Sequence, residues 1–81
     1  MTDVLTKQRL RVSDDGAGGP YLMVAVEQVG DVERVLKSAD VRGYWVDRDA
    51  IRLDGRPAVT VINLGRYGDA DRVQNLLDEA A

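Results

Sequence analysis

The chain has 81 residues with neither cysteine nor histidine, which fits one domain over 1–81 and leaves out disulfides, thiolate metal sites, and both the commonest metal ligand and the commonest general base. Its net charge of −3 argues against bulk electrostatic binding to duplex DNA, which needs a basic surface. No apolar run approaches the roughly 20 residues that span a bilayer, and MTDVLTKQRLRV carries no leader pattern, so a cytoplasmic protein is expected. Arginines outnumber lysines nine to two, a bias that GC-rich bacterial coding sequences produce.

Met1–Thr6 reads as a frayed end. Lys7–Val12 alternates, with Leu10 and Val12 on one side and Arg9 and Arg11 on the other, as a half-buried strand does. Ser13–Pro20 is a polar, glycine-rich loop. It leads into a strand rather than a helix N-terminus and lacks a Lys-Ser/Thr ending, so a hairpin connector outweighs a phosphate cradle. Tyr21–Glu27 is apolar on both faces and reads as a central strand, with Leu22, Val24 and Val26 on one side and Tyr21, Met23 and Ala25 on the other.

Asp31 is suited to cap a helix. Val32, Val35, Leu36 and Ala39 then fall on one stripe, and Gly43 is the expected stop shortly beyond it. Tyr44–Leu64 reads as a hairpin turning at Asp54-Gly55, the dipeptide that tolerates positive φ in a two-residue loop. Its first strand, Tyr44–Leu53, is a bent edge with a bulge at Asp47-Arg48-Asp49. Pro57, which cannot donate to a ladder, opens the second strand. In Ala58–Leu64, Val59 and Val61 share one face while Ala58, Thr60, Ile62 and Leu64 share the other, and this strand too is expected at the centre. After the loop Gly65–Gly68, Asp69 caps a second helix whose stripe is Ala70, Val73, Leu76, Leu77 and Ala80.

The order ββαββα predicts an α+β two-layer sandwich. A four-stranded antiparallel or mixed sheet would carry both helices on one face, since strand–helix–strand crossovers share a hand. This is the ferredoxin-like βαββαβ order with its last strand moved to the front. The second sheet face then has no helix to cover it, and an uncovered apolar face marks an interface.

The chemistry-bearing residues offer little else. Asp47, Asp49 and Asp54 could meet a hard cation, but the calcium-loop spacing is missing and a solvated turn is the simpler reading. Asp14-Asp15 shows no sign of a raised pKa, and Ser13 and Ser38 have no base partner. No catalytic residue, metal ligand or cofactor is therefore expected. The candidate interaction surface is Tyr21, Met23, Tyr44, Trp45, Arg48, Arg52, Arg56 and Tyr67. The expected function is a non-enzymatic protein–protein interaction or regulatory module that self-associates or docks a partner through the open face or the hairpin edge. The alternative is single-stranded nucleic-acid binding, in which aromatics interleaved with arginines stack bases.

Overall fold

The computed structural model describes residues 1–14, 18–47, 55 and 57–80. In chain order these form β1 (Tyr21–Ala25), a 3-10 turn (Val26–Gln28), α1 (Val29–Ser38), β2 (Trp45–Val46), β3 (Val59–Asn63) and α2 (Ala70–Glu79). The described strands make a three-stranded sheet in the order β1-β3-β2, with both pairings antiparallel. Only β3 is central, so β1, expected at the centre, is an edge strand.

The class α+β stands, whereas the fourth strand expected at Lys7–Val12 and the ferredoxin-like permutation are not found. The residue after that segment, Ser13, makes one bridge to the sheet: the Tyr21 N–H donates to the Ser13 carbonyl at 2.9 Å and the Ser13 N–H to the Tyr21 carbonyl at 2.7 Å. The segment's alternation is real, since Leu10 is buried and Arg9 and Arg11 are exposed. Two of its peptide groups are engaged by a helix side chain instead of a strand, while the Leu10 N–H donates to the Met1 carbonyl at 2.9 Å. The Val12 N–H donates to Gln74 Oε1 at 2.8 Å, and Gln74 Nε2 donates to the Leu10 carbonyl at 3.0 Å. A carboxamide presents one donor and one acceptor, as a peptide unit does, so Gln74 takes the place of the next strand. Arg9 fixes the same segment to α2 through Asp78 at 2.8 Å.

The first residues are held as well, contrary to the frayed end expected. Buried Gln28 repeats the device: its Oε1 accepts from the Val4 N–H at 3.1 Å and its Nε2 donates to the Thr2 carbonyl at 2.7 Å. The terminal amine of Met1 donates to the Leu77 carbonyl, and Thr2 bridges Arg9. The N-terminal strap thus packs over the helices by way of two glutamines.

Both helices follow their predicted stripes. Val32 and Leu36 of α1 and Val73 and Leu77 of α2 join Leu10, Leu22, Val24, Ile62 and Leu64 in one buried cluster. Asp69 caps α2 as expected, its carboxylate accepting from the Arg72 N–H at 3.0 Å. The start of α1 differs. The 3-10 turn runs directly out of β1, so the helix begins at Val29 and Asp31 lies in its first turn, paired with Arg34 at 3.3 Å. The same turn ends β1 two residues before Glu27 and leaves Val26 exposed rather than beside Val24.

The stop of α1 also differs. Gly43 has positive φ, at 80°, but Asp40 reaches the left-handed conformation first, at φ 57°, and closes the helix. The Val41 N–H then reaches the Leu36 carbonyl at 2.9 Å and the Asp40 N–H the Lys37 carbonyl at 3.1 Å, which is the Schellman pattern. Arg72 of α2 donates to the Ala39 carbonyl at 2.6 Å and ties the start of one helix to the end of the other.

Of the hairpin, β2 and β3 pair as expected, with Trp45 opposite Asn63 and Val46 opposite Ile62. Gly55 has φ 72°, the conformation for which glycine is expected there. Of the bulge expected at Asp47-Arg48-Asp49 only Asp47 is described; Arg48 and Asp49, most of the edge strand and Asp54 lie outside the described residues.

Candidate interaction surface

Pleating sends alternate side chains to opposite faces. The pairs Leu22–Ile62 and Val24–Thr60 point to the helices, and Leu22, Val24 and Ile62 are all buried. Buried Thr60 satisfies its hydroxyl by donating to the Asp47 carbonyl at 2.7 Å, which pins β2 to β3. The opposite face carries Tyr21, Met23 and Ala25 from β1, Val59, Val61 and Asn63 from β3, and Trp45 from β2. Of the two β3 sets that could have faced outward, it is the Val59/Val61 set that does.

On that face the register lines up a row across three strands, Tyr21–Asn63–Trp45, with Met23–Val61 as the next row on β1 and β3. Met23 is 50% exposed and Trp45 53%, against 0–1% for Leu22 and Val24 on the other side. Tyr21, Val61 and Asn63 are half-buried, while Ala25 is buried, so the face is open at its Tyr21–Met23 end. No residue of the three described strands is charged. Among the described residues the carboxamide of Asn63 has no hydrogen-bond partner.

Trp45 lies next to the turn that follows β3. Gly65 follows β3 on the same side as Asn63, at φ 86°. A Cβ there would lie 3.9 Å from the Trp45 ring, an ordinary van der Waals distance, so the ring lies beside this turn. The turn that follows is closed by the Gly68 N–H donating to the Gly65 carbonyl at 3.0 Å. It projects Tyr67, which is 94% exposed.

The sequence candidates therefore divide. Tyr21, Met23 and Trp45 come together on the open face. Tyr44 is half-buried against the core and belongs to packing. Tyr67 stands on a neighbouring turn. Arg48, Arg52 and Arg56 lie outside the described residues. Arg9 and Arg11, expected on the first strand, sit on the strap, and Arg9 is bound to Asp78. Asn63 was missed, although its parity with Val59 and Val61 would have found it.

Elsewhere little converges. A cleft of about 450 Å3 between the strap and α1 is lined by Thr2, Val4, Gln28, Asp31 and Arg34. Its buried amide already grips the strap, Asp31 pairs with Arg34, and the Met1 amine at its edge donates to the Leu77 carbonyl. Asp78 has its carboxyl held below the usual carboxylate range, first by the hydrogen bond from Arg9, but it is exposed on the far side of α2 from the core. No group of three or more acidic residues among the described ones could hold a metal ion. No helix among them is long and apolar enough to cross a membrane. Compared with known proteins, the chain matches no family model, no curated protein and no solved structure.

Proposed function

We propose that the chain is a small non-enzymatic interaction module that docks a protein partner on the helix-free face of its sheet. One observation carries this reading: uncharged strands that bury Leu22 and Val24 completely on one side leave Met23 and Trp45 half exposed on the other. Apolar surface of this kind gains free energy when it leaves water, at about 25 cal/mol per Å2.

Its extent favours a short segment over a second copy of the chain. The strands hold five, two and five residues, and at about 4.8 Å spacing and about 3.3 Å rise per residue they cover roughly 200 Å2. A standard stable interface takes about 800 Å2 from each partner. Nucleic acid is the weaker fit. Tyr21 and Trp45 could stack bases, but the described strands bring no cation to a phosphate backbone.

Selection from a displayed library of random peptides tests the reading. Peptides enriched on the wild-type chain are expected to be lost on Met23→Glu, whose folding is checked by circular dichroism. Selection that enriches nothing, or only peptides that bind Met23→Glu equally well, would overturn it.

A further inference from the structure

The geometry points to a proline-rich segment in the polyproline II conformation as the ligand of the Tyr21–Asn63–Trp45 row. This inference rests on the open face being a docking surface. The two aromatic residues stand on the outer strands, with Asn63 of the central strand between them. Two strand spacings separate them, about 9.6 Å. A polyproline II helix repeats every three residues at about 3.1 Å each, about 9.3 Å per turn. Rings at positions i and i+3 of such a segment, laid across the strands, meet one aromatic each.

The residue between the aromatics suits the same ligand. A polyproline II backbone makes no internal hydrogen bonds, so its carbonyls remain open acceptors. The Asn63 amide, without a partner among the described residues, lies at the midpoint of the row and can donate to one of them. Met23 flanks the row with an exposed apolar side chain. The ligand is held across the short, uncharged part of the sheet, which matches its lack of charge. Such segments lose little conformational entropy on docking, because they are already extended in the free state. A footprint of one turn also agrees with a face of roughly 200 Å2.

The chain has one tryptophan, so its emission reads the row directly. A decamer of proline is titrated at low salt into the wild-type chain, into Asn63→Ala and into Tyr67→Ala, with a ten-residue oligothymidylate as the second probe. The expected result is a saturable change in Trp45 emission with oligoproline. Affinity should fall about fivefold in Asn63→Ala, the scale of one lost hydrogen bond, and stay unchanged in Tyr67→Ala, which is off the row. A glycine-serine decamer should give no change. No response of the wild-type chain to oligoproline would overturn the inference. So would a salt-sensitive response to oligothymidylate stronger than that to oligoproline, or equal affinities for oligoproline and the glycine-serine peptide. Failure here leaves the docking surface itself to the peptide selection, which would then enrich sequences without proline.

Discussion

At the scale of single residues, two glutamines and one aspartate do work that their positions in the sequence do not announce. Gln28 and Gln74 each bond two peptide groups of the strap, and nothing in a hydrophobic pattern marks a side-chain amide that stands in for a strand. Gln28 is the more buried of the two, at 4% exposure. Gln28→Leu should destabilise the chain by about 2 kcal/mol, since it leaves the Val4 N–H and the Thr2 carbonyl without partners. Urea unfolding measures this, and an unchanged midpoint would show that the clamp contributes nothing. Asp40 was invisible for another reason: glycine is the usual left-handed stop, and Gly43 was near enough to be taken for it. Asp40→Gly should relieve the strain of positive φ and stabilise by about 0.5 kcal/mol, after the loss of an exposed pair with Arg42. A thermal melt shifted downward would contradict the Schellman assignment.

At the scale of elements, the helices were legible because their signals are local. A stripe at helical spacing and an Asp cap place α2 almost to the residue, and Asp69→Ala should cost about 1 kcal/mol. The strands were legible in their pattern and less so in their pairing. Lys7–Val12 alternates as a strand must, yet partner choice is a long-range matter, and Gln74 with Asp78 outcompetes the edge of β1. The Arg9–Asp78 pair gives this docking a pH dependence. The Asp78 carboxyl is held below 3.8 in the folded chain, so its contribution is present above that value. It is lost as pH falls below 3.8 through the folded pKa. The stability gap between wild type and Arg9→Ala should therefore narrow on acidification below pH 3.8. A gap that widens would place the strap's attachment elsewhere. The pair is exposed, so the effect is small and should weaken further in salt.

At the scale of the whole molecule, the described residues form a two-layer α+β unit in which α1 and α2 cover one sheet face and no described helix covers the other. The crossover from β1 to β2 places α1 on one side, and α2, which no strand follows, joins it there by burying Val73 and Leu77 with Leu22 and Ile62. The composition of the open face did not follow so directly. It depended on which β3 set faces out and on the register that brings Tyr21, Asn63 and Trp45 into one row. The central claim is that this face receives an extended partner segment. It is tested most directly by the emission of Trp45 in the presence of a peptide selected on the wild-type chain. A saturable change in emission is expected, abolished in Met23→Glu while the fold persists. A selected peptide that binds without altering Trp45, and binds Met23→Glu with the same affinity, would contradict it.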